Sequence, residues 1–151
     1  MYIHLFWLMT SSLPELACLC ANLRRAARTL TQAYEGSLSS FGFTSTQFTI
    51  LQVLWRTGEL SQKSLGHALA MDSTTLTRTL RTMARSGWIQ EHRGNDRREK
   101  RLRLSSAGHR ALHRALPTWE AVQRRLNRKL GNQRWSQLQI LLHQLTAITA
   151  A

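Results

Sequence analysis

The stretch Leu60–Leu104, LSQKSLGHALAMDSTTLTRTLRTMARSGWIQEHRGNDRREKRLRL, changes its apolar period partway along, and that change restricts what the chain can fold into. Up to Arg85 the apolar residues recur at helical spacing; after Gly87 they move toward the alternation of a strand. Ser61 stands where an N-cap should, ahead of Leu65, Ala68 and Leu69, and Met71 closes that short helix. Asp72 offers a second N-cap for the free N–H groups of Ser73 to Thr75. Leu76, Leu80 and Met83 then form the buried stripe of a helix that ends at Gly87. Trp88 to Arg93 and Lys100 to Leu104 read as two strands joined through Gly94, Asn95 and Asp96. Arg97, Arg98, Lys100 and Arg101 crowd the tip and the second strand, where Asp96 is expected to pair with Arg98.

At roughly 100° per residue, the face opposite the Leu76 stripe carries Thr74, Arg78, Arg81, Thr82 and Arg85, with Ser73, Thr75 and Thr77 near its N-terminal end. A solvated helix usually mixes signs to gain i,i+4 pairs, and this face has no acid. Arginine bonds guanine O6 and N7 in bidentate fashion, and threonine offers a hydroxyl to a base edge or a methyl to thymine, so the face suits a DNA major groove. Arginines on a hairpin tip suit a narrow minor groove while their neighbours hold the phosphate backbone. The predicted fold class is mainly α with a small β-hairpin (α+β), a winged helix-turn-helix.

In the order and spacing of its motifs the sequence resembles the MarR family of transcriptional regulators. The features are the LS-x-x-x-LG-x-x-L helix from Leu60, the MDSTTLTR start of the next helix, Gly87-Trp88-Ile89, Asp96-Arg97-Arg98, and Leu104-Ser105-Ser106-Ala107-Gly108. The resemblance runs from about Leu16 to the C-terminus. It implies an obligate homodimer whose first and last helices intertwine, with two winged lobes reading a pseudo-palindromic double-stranded operator.

Composition agrees. The 151 residues supply one domain's worth of chain, and a formal net charge of +13 predicts salt-sensitive attraction to a polyanion. No stretch approaches the roughly 20 apolar residues that span a bilayer. MYIHLFWLM has no preceding basic residue, and Pro14 and Glu15 follow without a small-residue cleavage site. It is expected to be an extension, flexible or packed in the dimer, or to precede a true start at Met9, and the protein is expected to be cytoplasmic. The expected organisation is an extension over 1–12, a helical dimerisation region over 13–40 and 106–151, and a DNA-binding lobe over 44–105.

The first helix is predicted from Leu13 to about Ser39, with Leu16, Leu19, Leu23, Ala27, Leu30, Tyr34 and Leu38 on one side. Phe41-Gly42-Phe43-Thr44 breaks it, and Ser45 or Thr46 caps a second helix built on Phe48, Leu51, Leu54 and Trp55 and ending at Gly58. Two more helices are predicted, about Ser106 to Leu130, with a kink or interruption from His113 to Leu116 because of Pro117, and Gln133 to Ala147. Their apolar positions, Leu126, Leu130, Trp135, Leu138, Leu141, Leu142, Leu145 and Ile148, are expected to close a dimer.

Cys18 and Cys20 are the only cysteines; on one helix they point about 200° apart, which disfavours a bond between them. They are either small buried packing residues or a redox sensor in which Arg24, one turn on, stabilises the Cys20 thiolate. Cys20 through Tyr34, TQFTILQVLW and LG-x-x-LAMDSTTLT are similar to the organic-hydroperoxide-sensing branch of the MarR family, which implies a reactive Cys20 and a pocket tyrosine at Tyr34. The chain departs from that branch in carrying Arg24 where a second tyrosine stands, and in having no C-terminal cysteine. Other readings stay open: soft metal or arsenite on paired thiols, and a phenolic ligand in a pocket lined by Tyr34, Phe48 and Trp55. His109 and His113 share zinc-like i,i+4 spacing but have no third ligand, so no metal and no cofactor are expected.

An enzyme is not expected: there is no glycine-rich phosphate loop, HExxH or G-x-S-x-G, and the chain has eight acidic residues. The reading is a dimeric regulator, a repressor released by cysteine oxidation or by a small ligand. The rival is a DNA-coating architectural protein, which lacks the roughly 10³-fold operator preference of a regulator.

Overall fold

A computed structural model describes residues 16–94 and 99–149. The N-terminal extension, Leu13 and Pro14, and the hairpin-tip residues Asn95, Asp96, Arg97 and Arg98, for which expectations are given above, lie outside the described residues. The chain divides between Gln32 and Ala33 into two compact units.

In the first unit, helix α1 (Leu19–Leu38, continuing into the second) starts later than expected. The Asn22 side-chain amide donates to the carbonyls of Leu16 and, at 3.3 Å, Cys18, while its backbone N–H donates to Cys18 at 3.1 Å. The backbone bond is the first i→i−4 bond of the helix, so Cys18 is its N-cap residue and Cys20 lies in its first turn, while the amide ties Leu16 to that turn. Leu19 and Leu30 of the expected stripe are exposed on the single chain.

The second unit continues with a 3₁₀ turn at Ser39–Phe41, closed by Gly42 at φ 82°. Helix α2 (Ser45–Thr57) is capped by Thr44, where Ser45 or Thr46 was expected. Thr44 Oγ1 accepts from the Gln47 N–H at 3.3 Å and Gln47 Oε1 accepts from the Thr44 N–H at 2.9 Å, a reciprocal box that only Thr44 can form with a glutamine three residues on. Strand β1 (Glu59–Ser61) follows, unforeseen in the sequence. Helix α3 (Gln62–Leu69) is capped by Ser61, whose Oγ accepts from Ser64 N–H at 3.0 Å. Helix α4 (Ser73–Arg85) is capped by Asp72, which accepts from Thr75 N–H at 2.8 Å. Its far end is a Schellman motif: the N–H of Gly87, at φ 72°, donates to Ala84 at 2.9 Å and that of Trp88 to Met83 at 3.1 Å. Ala70 closes α3 in the same way, but as an alanine at φ 49°.

Strands β2 (Ile89–Arg93) and β3 (Lys100–Leu104) form the hairpin, and β3 also pairs with β1 in an antiparallel sheet ordered β1-β3-β2. The register sets Ile89 against Leu104 and Leu60 against Leu102, directing these side chains to the core, while Gln90, His92, Arg101, Arg103 and Glu59 share the outer face. Leu38, Phe48, Leu51, Leu54, Leu65, Leu76, Leu80, Met83, Leu102 and Leu112 are fully enclosed and bind the helices to the sheet.

Helix α5 (Ser106–Leu130) is uninterrupted at Pro117. Ala111, Leu112, Ala115 and Val122 are buried on both sides of the proline, and that packing holds the helix together despite the lost N–H. Its N-terminus lies against the hairpin entry. Ser105 N–H donates to the Trp88 carbonyl at 3.0 Å, Ser105 Oγ donates to the Gly87 carbonyl, and a Cβ on Gly108 would stand 2.0 Å from Trp88 O. Helix α6 (Asn132–Thr149) begins one residue past Gly131 and has no buried residue. Leu138, Ile140, Leu141, Leu142 and Ile148 are exposed on the single chain. No helix among the described residues is long and apolar enough to cross a membrane.

Candidate nucleic-acid interface

Helix α4 buries Leu76, Leu80 and Met83 and turns Ser73, Thr74, Thr75, Arg78, Arg81 and Arg85 outward. Asp72 is the acid that caps it. Its carboxyl is held below the usual range, first by a hydrogen bond from the Thr75 side chain and then by the Thr75 backbone N–H. Ser73, Thr74, Thr77, Arg78 and Arg81 line one concavity of about 400 Å³. A second, of about 380 Å³, lies between α4 and the hairpin and is lined by Gln62, Thr77, Leu80, Arg81, Ala84, Arg85, Glu91 and Lys100.

The electrostatics are uneven. Glu59 takes both Arg101 and, at 3.0 Å, His92. Glu99 takes Arg101 at 3.2 Å, Glu91 takes Lys100 at 3.6 Å, and Glu120 takes Arg124 at 3.4 Å. The hydrogen bond from Arg101, with His92 and Arg103 nearby, holds the Glu59 carboxyl below its ordinary value, and the same bond pushes the Arg101 guanidinium up. Among the described residues of the hairpin, Lys100 and Arg101 are thus paired with acids, while Arg93 and Arg103 form no ion pair. Arg78, Arg81 and Arg85 form no ion pair among the described residues, leaving three guanidiniums on one helix with counter-charge to be supplied from outside.

Two expected contact residues are engaged within the protein. Thr77 is half-buried, and its Oγ1 accepts from Gln62 Nε2 at 2.8 Å. Lys100 carries the exposed pair with Glu91, a type worth little energetically and easily exchanged for a phosphate. Arg97 and Arg98 fall outside the described residues. Sequence reasoning missed Gln62 and Glu91; the alternation of β2 places Glu91 on the same face as Ile89, which was a readable signal, whereas Gln62 meets α4 only through the tertiary fold.

The thiol candidates divide. Cys18 and Cys20 are free and exposed, so in the single chain neither is a buried packing residue, and Arg24 is exposed on the same helix. Tyr34 lies in the larger unit, where burial pushes its phenol up. With Leu38, Ser45, Phe48, Thr49, Gln52, Trp119 and Gln123 it lines a cavity of about 240 Å³. Trp55 does not line it: it is half-exposed and packs edge-on to His113, ring centres 5.8 Å apart. The helical period placed Trp55 with Phe48, but Trp119 of α5 fills that role instead, tilted against Phe48 at 6.0 Å. His109 and His113 are both exposed.

Two helices joined by a tight turn, the second exposed along one polar face and followed by the β2–β3 hairpin of a three-stranded sheet, define a winged helix-turn-helix. The MarR family model matches residues 43–100. The chain is 31% identical over 83 residues to the HTH-type transcriptional regulator YwoH of Bacillus subtilis (strain 168), covering 55% of this chain and 61% of that one. It is 33% identical over 91 residues to the organic hydroperoxide resistance transcriptional regulator of the same organism, covering 60% and 62%. Among solved structures, the M. tuberculosis transcriptional regulator MosR in complex with DNA superposes with a TM-score of 0.80 at 35% identity, over 87% of this chain and 96% of that one. The matches to these curated relatives thus span about three fifths of their length. The chain belongs to the MarR family.

Proposed function

We propose that this chain is a sequence-specific, double-stranded-DNA-binding transcriptional regulator, a repressor that works as a homodimer on a pseudo-palindromic operator, and not an enzyme. The observation that carries the reading is the α4 face. Ser73, Thr74 and Thr75 at its N-terminal turn and Arg78, Arg81 and Arg85 along it are exposed, and the arginines have no ion-pair partner among the described residues. The MosR structure with DNA supports it by likeness. The exposed leucines and isoleucines of α1 and α6 support a dimer, because residues that large on two helices lower the free energy only when covered. In this proposal residues 13–40 and 106–151 form the dimerisation region and residues 44–105 the DNA-reading lobe.

The test is titration of DNA from upstream of the chain's own gene against scrambled DNA, at several salt concentrations. A regulator prefers its site by roughly 10³-fold or more. Equal binding to both would leave an architectural protein. Arg78→Ala should relax the preference at particular base pairs; an equal loss on all sequences would make Arg78 a phosphate contact. Light scattering at micromolar protein should give a dimer, and a monomer would overturn the assembly.

A second reading concerns release from DNA. Cys20 is free and exposed one turn from Arg24, and a relative is named for organic hydroperoxide resistance. The Cys20 sulfur would attack the terminal oxygen of an organic hydroperoxide, forming the S–O bond of a sulfenic acid as the O–O bond breaks and the alkoxide takes up a proton and leaves as the alcohol. Loss of operator binding after stoichiometric hydroperoxide, in wild type and not in Cys20→Ser, is the expected result. Binding indifferent to oxidant would direct attention to a small ligand in the Tyr34 cavity.

A further inference from the structure

Thr77 differs from Thr79 and Thr82 of the same helix. Thr79 and Thr82 donate their hydroxyl hydrogens to the carbonyls four residues back, Thr75 at 2.9 Å and Arg78 at 3.3 Å, which occupies them locally. Thr77 makes no such bond. Its Oγ1 instead accepts from Gln62 Nε2 at 2.8 Å, across the turn between α3 and α4, and it donates to no group among the described residues. A hydroxyl has one hydrogen and two lone pairs, so the amide takes acceptor capacity and leaves the hydrogen unspent. Thr77 also lines both concavities of the α4 face, as does Arg81, and so stands where the two grooves meet.

From this we infer that Gln62 sets the hydrogen-bonding polarity of Thr77, making Thr77 a donor that specifies a base-edge acceptor in the operator. The inference rests on the DNA-reading function proposed above. The acceptors that fit are purine N7, guanine O6 and thymine O4 in the major groove; the amino groups of cytosine and adenine do not. Gln62 is a positioning residue: it acts through Thr77 and leaves the base contact to the threonine. Packing of Leu76 and Leu80 on either side of Thr77 in sequence fixes the helix that carries it.

The polarity can be reversed without removing either side chain. In Gln62→Glu the carboxylate only accepts, so it draws the Thr77 hydrogen and leaves lone pairs facing the groove. Random-sequence double-stranded DNA is selected with full-length wild type, Gln62→Glu, Thr77→Val and Thr77→Ser, each checked for folding by far-UV circular dichroism. The quantity read is relative base preference at each position, which a uniform electrostatic penalty from the added carboxylate does not move. One base pair per half-site should lose about 3- to 10-fold in preference in both Gln62→Glu and Thr77→Val, the effect of one hydrogen bond, and keep it in Thr77→Ser. Preference intact in Gln62→Glu but lost in Thr77→Val overturns the role of Gln62. Preference intact in both, or an equal loss on all sequences, overturns the base contact. Absence of any selected motif with wild type overturns the regulator reading itself.

Discussion

Gly108→Ala adds one carbon where the fold leaves no space for it. The new Cβ would lie 2.0 Å from the carbonyl oxygen of Trp88 and 3.0 Å from its carbonyl carbon, both backbone atoms that no side-chain rotation can clear. Ordinary contact needs 3.4 Å or more, so the start of α5 or the hairpin entry must move by over an ångström. That movement separates Ser105 N–H from Trp88 O, now 3.0 Å apart, and Ser105 Oγ from Gly87 O. Overpacking costs about 1–3 kcal/mol. The two hydrogen bonds add about 1 kcal/mol each. Alanine's better helix propensity returns about 0.5–1 kcal/mol. The net is a loss of about 2–4 kcal/mol, against a total stability of about 5–15 kcal/mol for a domain. Thermal and urea melts followed by circular dichroism, at one fixed protein concentration, should show a midpoint lower by roughly 10 °C. Gly36→Ala is the control: it lies in α1 with nothing within 4 Å of its added Cβ, and should be neutral or slightly stabilising. A Gly108→Ala protein that melts with wild type would refute the close approach of α5 to Trp88.

Three further outcomes follow from the geometry. Ala70→Gly should raise stability by about 0.5–1 kcal/mol, since a left-handed alanine costs about 1–2 kcal/mol and glycine's added chain entropy returns only part of that; a lower urea midpoint would contradict the left-handed cap. Leu80→Ala, in a fully enclosed site, should cost about 3–5 kcal/mol by urea titration, and a change under 1 kcal/mol would mean that the helix is not packed as described. Glu59 and Asp72 both have folded-state pKa values below their unfolded ones, Glu59 through Arg101 and Asp72 through Thr75. Their contributions are therefore present above the ordinary carboxylate range near pH 4 and disappear as pH falls through the lowered values. Melting temperature should drop on acidification, more shallowly in Glu59→Gln, and identical acid profiles for the two proteins would remove Glu59 from the account.

Local signals made most of the winged helix-turn-helix legible. Asp72 and Gly87 bracket α4 because an N-cap and a left-handed C′ glycine act within a few residues of the helix they end, and Ser61 announces α3 in the same way. Strand β1 was not legible: three residues long, it exists because β3 supplies partners forty or more residues away in sequence. The start of α1 depended on the Asn22 amide clasping Leu16 and Cys18, which no periodicity reports. At the interface, the arginines could be placed from the helical period alone. The engagement of Lys100 by Glu91 and of Thr77 by Gln62 required the sheet register and the turn between α3 and α4, both tertiary facts. Trp55 was drawn into a pocket by its apolar character, although Trp119 on another helix takes that place.

Ser61 is the last residue of β1, paired with Arg101, and also the cap whose hydroxyl begins α3. No linker separates sheet from helix at that point, so the hairpin and the α3–α4 pair cannot be adjusted independently. They form a caliper with a set opening, one jaw the exposed face of α4 and the other the hairpin. On the DNA-reading function proposed above, such a tool would respond to the spacing between neighbouring grooves as well as to the bases inside one of them. A duplex that presents the right bases at the wrong twist would be gripped by one jaw only.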